Sequence, residues 1–413
     1  MSDGGFGVLL PSIKSYYAVS DGVVSALLMC NTAGFLVSAF LNGNIVDHLG
    51  QKTSLVLGVC AQDLAYMLLL WRAPFPAQCC FMVILGFGLG LVNAGTNVIC
   101  VTLPKSLILL NMLHASYGLG ALIGPLLASA LLNNGRSWNY FYVCLVCFSF
   151  SALTALLSVF TIKPGPIVGR EEAKSRIKLW RTKRGGGEPE VAMAGRSTAV
   201  ALNEPKSSLL RRALNYPVTP IAAVYLLFYV GVEVSLGTWA YSYLTEYRHG
   251  NPVQMAHTVS GYWGGLMAGR VLLGWFTARF GERIMVLIYL GVIAGGTLVI
   301  WLVNNSIADG IVLFFTGFVL GPLYPTTVSL TSSLIPTYLF ATAVGFIAAF
   351  GSGGGALFPF ATGLMANRFG IWVLMPFMIC MTVGMIALWA SIPKKKGDPD
   401  ASGPEHHGEE NQQ

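Results

Sequence analysis

One carboxylate lies inside a long apolar stretch, where an ionised side chain is costly, and it is the strongest candidate for chemistry in this sequence. Glu233 lies near the middle of a predicted helix over residues 217–244, with Tyr229 and Gly237 on the same helical face. A desolvated carboxylate in such a place can take up and release a proton near neutral pH. Glu233 is therefore expected to bind a proton or a solute, unless it makes a structural hydrogen bond between helices.

Arg270 is a second charge inside an apolar stretch, in a predicted helix over residues 253–278. Leu266 and Gly274 share its face, so the guanidinium has no partner in its own helix. The predicted helix ends place Arg270 about two turns away from Glu233 in depth. We therefore expect Arg270 to line the exit from a cavity rather than to pair with Glu233, or simply to anchor helix packing.

Two amides in a third apolar stretch are suited to binding a polar solute. Asn93 and Asn97 lie four residues apart on the face that also carries Gly86 and Gly90. An amide both donates and accepts hydrogen bonds, which suits the hydroxyl groups of a sugar-like ligand, although the same pair could join two helices. Other polar side chains in apolar stretches are secondary candidates for a cavity lining: Asn31, Asn111, His114 and Tyr117.

Membrane helices are the elements that must position these residues. The 413-residue chain is 54% hydrophobic and only 10% charged, a composition that excludes a water-soluble fold. Since about 20 apolar residues cross a bilayer, the sequence predicts eleven complete membrane helices, over residues 22–46, 53–71, 78–102, 108–132, 138–162, 217–244, 253–278, 284–304, 309–334, 338–363 and 370–392. Residues 1–13 are apolar but too short to cross. They are predicted to be the outer half of an incomplete helix, or else a short re-entrant or interfacial segment.

The distribution of charge predicts how the chain is divided and oriented. Residues 163–216 hold 12 basic and 5 acidic side chains, which predicts a linker between one bundle over residues 1–162 and another over 217–392. If the linker is cytoplasmic, that side of the membrane carries 19 Lys and Arg residues and the other side carries 5. The linker, which can contact anionic lipid or remain solvated, and a disordered tail over residues 393–413 are therefore expected in the cytoplasm of a plasma-membrane protein.

Other functions are not indicated by the sequence. The basic charge is concentrated in one loop rather than on a folded face, so no nucleic-acid binding is expected. All eight cysteines lie in or beside apolar stretches, where packing is the simplest role. No motif of an intramembrane enzyme is present, and we expect no enzyme activity, cofactor or metal. Asn304 begins an Asn-Asn-Ser glycosylation sequon in a loop on the predicted outer side.

The two halves of the chain contain a repeated sequence. Gly-x-x-x-Asp-His-x-Gly-Gln-Lys over residues 43–52 returns as Gly-x-x-x-Ala-Arg-x-Gly-Glu-Arg over residues 274–283. Two similar bundles joined by a linker predict solute access between them, with one bundle rocking against the other. The repeated loop is interpreted as a gate, and its candidate residues are Gly43, Asp47, Gly50, Lys52, Gly274, Arg279, Gly281 and Arg283.

The repeated loop resembles the signature of the major facilitator superfamily of secondary transporters. That resemblance implies an all-α integral membrane fold of two pseudo-symmetric six-helix bundles, so the first helix here looks truncated, giving eleven full spans and a half. A finer resemblance is to the fucose/hexose:proton symporter-like branch and its fungal members. It depends on three motifs: Asp3-Gly-Gly-x-Gly, Leu113-His-x-x-Tyr-Gly-x-Gly-Ala121 and Tyr229-Val-Gly-x-Glu233-x-x-x-Gly237-x-Trp239.

The finer resemblance implies a proton-coupled carrier for a small organic solute, sugar-like or another metabolite, that acts as a monomer in the lipid bilayer. It assigns Asp3 as a membrane acid and adds Trp239 to the candidate solute site. Carriers of that branch have an acid where Asn93 stands, so proton coupling would depend on Asp3 and Glu233. Two other functions stay open: an efflux pump for a hydrophobic metabolite, and a sensor or remnant that does not transport.

Overall fold

The computed structural model describes residues 1–102, 106–162 and 206–393, and no strand occurs in these ranges. Most of the predicted linker and nearly all of the predicted tail lie outside them. The first bundle contains α1 (Ser2–Tyr17), α2 (Asp21–Val24), α3 (Ala26–Leu70), α4 (Phe75–Thr102), α5 (Ser106–Asn133) and α6 (Tyr140–Ile162). After the short α7 (Lys206–Leu214), the second bundle contains α8 (Val218–Ser242), α9 (Pro252–Phe280), α10 (Glu282–Leu302), α11 (Ser306–Leu320), α12 (Leu323–Leu334), α13 (Thr337–Phe369) and α14 (Leu374–Ala390).

The helices have the length and composition of membrane-crossing segments. Ten segments in the described ranges are long and apolar enough to cross a bilayer, and α3 contributes to two of them, Asp21–Val46 and His48–Leu70. α9 has 29 residues and is also long enough, but its polar residues keep its hydropathy below that of the ten. The predicted all-α membrane fold is confirmed, with α9 as the least apolar of the eleven predicted helices.

Two glycines of the repeated loop change the direction of the chain. Gly50 interrupts α3 with a φ of 81°, and Gly281, 231 residues later, separates α9 from α10 with a φ of 94°. A side chain with a Cβ is strained at such φ values, which explains glycine at both junctions. The predicted repeat is therefore visible in the backbone as two equivalent helix junctions.

α1 packs between the bundles. Its 16 residues extend about 24 Å. A Cβ at Gly4 would overlap the backbone of Ala121 in α5, and a Cβ at Gly7 would approach the carbonyl oxygens of Gly237 and Thr238 in α8 to 2.6 and 2.7 Å. Glycine at these two positions lets α1 contact a helix of each bundle.

One predicted helix is broken in the structure. A single helix was expected over residues 309–334, but α11 ends at Leu320 and α12 begins at Leu323. Pro322 lies between them, and proline has no N–H to continue a helix and crowds the preceding turn. The break places Tyr324 beside Tyr229 of α8, with ring centroids 6.2 Å apart.

Candidate functional site

A cavity of about 190 Å³ lies between the two bundles, near the start of α1. Helices α1, α3, α4 and α5 line one side, and α8, α9 and α13 line the other. Aromatic and aliphatic groups make up most of its walls, with a few hydroxyl, amide and carboxylate groups among them. This combination is typical of sites that bind small molecules.

Three of the residues proposed from the sequence line this cavity: Asp3, Asn31 and Tyr117. The hydroxyl of Tyr117 donates a hydrogen bond to Oδ2 of Asp3 at 3.1 Å, which joins α5 to α1. Tyr117 is 42% exposed. A solute that enters the cavity would therefore meet both the ring of Tyr117 and the carboxylate of Asp3.

Sequence reasoning missed the uncharged cavity residues, among them Thr32, Thr238 and Trp263. The indole N–H of Trp263 is buried and has no hydrogen-bond partner among the described residues. A buried donor without a partner is costly unless a ligand or water satisfies it, so Trp263 is suited to donating to a solute. Trp263 lies seven residues, or two helical turns, before Arg270, so the two residues share one helical face. This shared face was the signal for Trp263 that the sequence contained.

Glu233 and Arg270 form a buried ion pair in the second bundle. Their Oε1 and Nη2 atoms are 3.0 Å apart, and the two side chains are 8% and 20% exposed. The expectation that Arg270 does not pair with Glu233 is therefore wrong. The helix that contains Glu233 continues through a π-helical turn to Tyr247, so the two residues differ in depth by only about 6 Å. The long arginine side chain covers that difference.

Tyrosine hydroxyl groups surround this ion pair. Tyr262 donates to the backbone carbonyl of Glu233 at 2.9 Å. Three further hydroxyl groups lie within electrostatic reach of both charges: those of Tyr117, Tyr229 and Tyr324. Three of the four tyrosines belong to the second bundle, whereas Tyr117 belongs to the first. Removing one side chain of a buried ion pair leaves the charge of the other uncompensated. Substitution of Glu233 or Arg270 alone is therefore expected to lower the free energy of unfolding by about 3–5 kcal/mol.

Two of the proposed solute residues support the site without lining the cavity. Trp239 is fully buried, and its indole N–H donates to the carbonyl oxygen of Pro359 at 3.0 Å, which joins α8 to α13. Tyr229 is also fully buried, in contact with Tyr324. In this conformation both side chains contribute to packing and to the polar surroundings of the ion pair rather than to solute contact.

The two amides of α4 contact each other. Nδ2 of Asn97 lies 2.9 Å from Oδ1 of Asn93 and 2.8 Å from its backbone carbonyl. They share one helical face as expected, but the cavity is lined by other residues. Asn111 and His114 belong to α5, and their side chains lie outside the described part of the structure.

The two bundles are joined at one end of their interface, the end at which α1 terminates. We call it the Lys14 end. Nζ of Lys14 lies 2.8 Å from Oδ1 of Asp21 and 3.3 Å from Oε2 of Glu246, which belongs to the π-helical turn after α8. Burial lowers the pKa of Lys14, but the hydrogen bond and charge of Asp21, together with the charge of Glu246, outweigh it and raise the pKa above its ordinary value. The ammonium group is therefore charged at neutral pH and bridges the bundles.

The opposite end, called the Gly50 end, contains the repeated loop. Apart from chain neighbours and the nearby backbone of the same helix, no heavy atom of the described residues lies within 4 Å of the position that a Cβ would take at Gly43, Gly50, Gly274 or Gly281. Arg283 donates to the carbonyl groups of Ile392 and Pro393, which follow α14 in its own bundle. Of the other gate candidates, Arg279 is exposed and Lys52 is half-buried, while the side chain of Asp47 lies outside the described part.

The helices beside the cavity separate toward the Gly50 end. Ser260 of α9 donates to the carbonyl oxygen of Leu122 in α5, so the two helices touch in their Lys14-side halves. Beyond Arg270, nearly every residue of α9 from Val271 to Phe280 is exposed. The cavity is therefore closed toward the Lys14 end, where the bundles are joined. On its other side it faces a cleft between the bundles that is open at the Gly50 end.

Asn304 is exposed in the connection between α10 and α11. That connection lies at the Lys14 end, because α10 begins at the Gly50 end with Glu282. The sequon is thus accessible on the side predicted to be external, and its glycosylation stays a prediction.

Comparison with known sequences extends over nearly the whole chain. The profile of the Major Facilitator Superfamily matches residues 1–359 and, in a second match, residues 221–410. Bypass of stop codon protein 6 of Saccharomyces cerevisiae is 26% identical over 410 residues, which cover 95% of this chain and 80% of the yeast protein. The glucose/mannose transporter GlcP of Bacillus subtilis is 21% identical over 398 residues, 96% of this chain and 92% of GlcP.

A solved structure has the same fold. It is the crystal structure of a bacterial homologue of the human lysosomal transporter Spinster, in an inward-facing and unoccupied conformation. The TM-score is 0.73 at 13% identity, over 94% of this chain and 92% of that one. With two bundles, a repeated helix junction and a match over almost the full length, this protein is a multi-pass membrane protein that belongs to the Major Facilitator Superfamily.

Proposed function

We propose that this protein is a secondary active transporter that moves a small sugar-like solute by alternating access, coupled to protons. The cavity between the bundles is the observation that carries the proposal. Its volume of about 190 Å³ is below the roughly 300–1,000 Å³ of sites for drug-sized ligands, which favours a solute of monosaccharide size. Asp3, Asn31 and Thr32 can bind hydroxyl groups, and Trp263 adds an apolar ring with a free donor.

The proposed orientation places the Lys14 end outside the cell. The excess of Lys and Arg on the other side supports a cytoplasmic linker over residues 163–216 and a cytoplasmic tail over residues 393–413. With this orientation the observed conformation faces inward, since the cleft opens at the Gly50 end. The membrane is proposed to be the plasma membrane.

Proton coupling is proposed to use Asp3 and Glu233. Asp3 lies in the cavity wall, and Glu233 neutralises Arg270 next to that wall. Protonation of Glu233 would leave the largely buried charge of Arg270 without its counter-ion, so each proton state favours a different arrangement of the helices. GlcP, named as a glucose/mannose transporter, supports a sugar as the class of solute.

The test is solute uptake by the purified protein in proteoliposomes, with radiolabelled D-glucose, D-galactose and D-mannose and an imposed inward proton gradient. We expect accumulation of at least one sugar, and loss of gradient-driven accumulation in Glu233→Gln. Because that variant leaves Arg270 unpaired, the double variant Glu233→Gln/Arg270→Gln serves as the folded control without either charge. Gradient-driven accumulation by the double variant would contradict proton coupling through Glu233, and export of hydrophobic compounds without sugar uptake would contradict the proposed solute class.

A further inference from the structure

Tyr117 lies where the cavity, α1 and the buried ion pair meet. Its ring forms part of the cavity wall, and its hydroxyl donates to Asp3 at 3.1 Å. The same hydroxyl is within electrostatic reach of Glu233 and Arg270, although these belong to the other bundle. Tyr117 is thus the described first-bundle side chain that connects the cavity acid to the charges of the second bundle.

The hydroxyl of Tyr117 has two possible acceptors, the carboxylates of Asp3 and Glu233. A tyrosine hydroxyl has one proton to donate, whereas each carboxylate has several acceptor sites. Tyr117 can therefore donate to Asp3 or toward Glu233, but not to both at once. A solute hydroxyl competes with the observed bond when it donates to Oδ2 of Asp3 at the site that Tyr117 uses.

The packing around Tyr117 makes its surroundings sensitive to motion of the bundles. A Cβ at the neighbouring Gly118 would lie only 2.9 Å from Cβ of Met267 in α9, so α5 and α9 are in close contact one residue away from Tyr117. Arg270 follows Met267 by one turn on the same helix. Rocking of one bundle against the other would therefore change the distance between the Tyr117 hydroxyl and the ion pair.

We propose that Tyr117 is the positioning residue that couples solute binding at Asp3 to the Glu233–Arg270 pair. When a solute hydroxyl occupies the Asp3 carboxylate, the Tyr117 hydroxyl turns its donor toward Glu233. The hydroxyl keeps its proton, and only its acceptor changes. This exchange strengthens the electrostatic interaction between the bundles when the cavity is filled. The inference rests on the proposed function, because it names the coupling residue of the same site.

A first experiment tests the connection without any solute. The thermal midpoint in detergent micelles is measured for Asp3→Ala and Glu233→Ala, which remove the two acceptors, and for their combination, in the wild-type, Tyr117→Phe and Tyr225→Phe backgrounds. Tyr225 is the matched control, because it is a buried tyrosine of α8 that packs against Trp389, away from the cavity. We expect the two substitutions to be non-additive by about 2 °C or more in the wild-type and Tyr225→Phe backgrounds. They should become additive in Tyr117→Phe. Additivity in the wild type, or non-additivity that persists in Tyr117→Phe, would overturn the proposal.

A second experiment separates coupling from structural damage. Proton-driven uptake of D-glucose into proteoliposomes is compared for the wild type, Tyr117→Phe and Tyr225→Phe. Since the Tyr117 hydroxyl competes with the solute for Asp3, its removal should leave KM unchanged or lower, while the maximal rate falls on the order of tenfold. A raised KM with an unchanged maximal rate would mean that Tyr117 only binds the solute, and would refute the coupling role. If the wild type takes up no sugar, the proposed solute is refuted, whereas the thermal experiment still decides the role of Tyr117.

Discussion

The two ends of the bundle interface use glycine and charge in different ways. At the Lys14 end, Gly7 allows backbone contact between α1 and α8, and Lys14 bridges to Glu246 across the interface. At the Gly50 end, Gly43 and Gly274 have open space beside them among the described residues. One end of the interface is therefore packed and charged, while the other retains small residues in a cleft.

In the observed conformation, the repeated loop does not make the contacts that close the cavity. The sequence motif directs attention to the Gly50 end, yet the contacts that close the cavity are at the end where no repeated motif occurs. Small residues in an open cleft are suited to close approach of helices in another state. The difference between the ends is then a property of one conformation, and an alternating-access cycle would exchange their roles.

The largest effect is expected when the close contact at the Lys14 end is removed. Gly7→Ala places a methyl group 2.6 and 2.7 Å from two backbone oxygens of α8, which cannot move aside as a side chain could. We expect sugar uptake in proteoliposomes to fall at least about tenfold, since closure of this end is prevented. Gly291→Ala, in α10 of the second bundle and outside the gate loop, is the matched control, because the space beside Gly291 is open, and it should retain most uptake. Equal activity of the two variants would mean that the close contact at the Lys14 end is not needed for transport.

A smaller effect is expected from the charges of the Lys14 end. Lys14→Gln removes a cation that bridges Asp21 and Glu246, but the groups are partly exposed, so the loss is at most about 1 kcal/mol. This corresponds to a shift of roughly fivefold in the population of the open state. We expect faster labelling of a Thr238→Cys reporter in the cavity wall by a membrane-impermeant thiol reagent added on the Lys14 side. Arg136→Gln, which removes an exposed cation in the connection between α5 and α6 and outside the gate loop, should leave the labelling rate unchanged.

The smallest effect on transport is expected from backbone strain at the Gly50 end, which acts on the stability of the protein. Gly50→Ala introduces a Cβ at a φ of 81° and a ψ of 160°, a conformation that only glycine adopts readily, at a cost of about 1–3 kcal/mol. Gly43→Ala is the control, because Gly43 is helical and exposed, and alanine favours a helix by about 1 kcal/mol over glycine. We expect the thermal midpoint to fall for Gly50→Ala and to stay level or rise for Gly43→Ala. A lower midpoint for Gly43→Ala than for Gly50→Ala would show that the junction is not where glycine is needed.

The fold could be predicted in large part from the sequence, because apolar length and repeated motifs depend on local information. The junctions at Gly50 and Gly281 followed from the repeat, and the membrane helices followed from hydropathy. The break at Pro322 was missed because apolar residues continue on both sides of it.

The site was predicted only where a charged or strongly polar residue stood out from its surroundings. Asp3, Asn31 and Tyr117 do line the cavity. The pairing of Glu233 with Arg270 was missed because the predicted helix ended at residue 244, whereas α8 continues through a π-helical turn that has no simple sequence signal. Trp263 could not be distinguished from a packing residue, because the lack of a partner for its N–H is a property of the assembled interface.

The most direct test of the account is a pair of spin-label distances across the two ends, measured by double electron–electron resonance in nanodiscs. One pair joins positions Trp71 and Ile307 at the Lys14 end, and the other joins Leu49 and Phe280 at the Gly50 end; all four residues are highly exposed. In Lys14→Gln/Glu246→Gln, compared with the unaltered charges, we predict a longer Trp71–Ile307 distance together with a shorter Leu49–Phe280 distance. Distances that both lengthen, or a change at one end without the opposite change at the other, would contradict alternating access around this cavity.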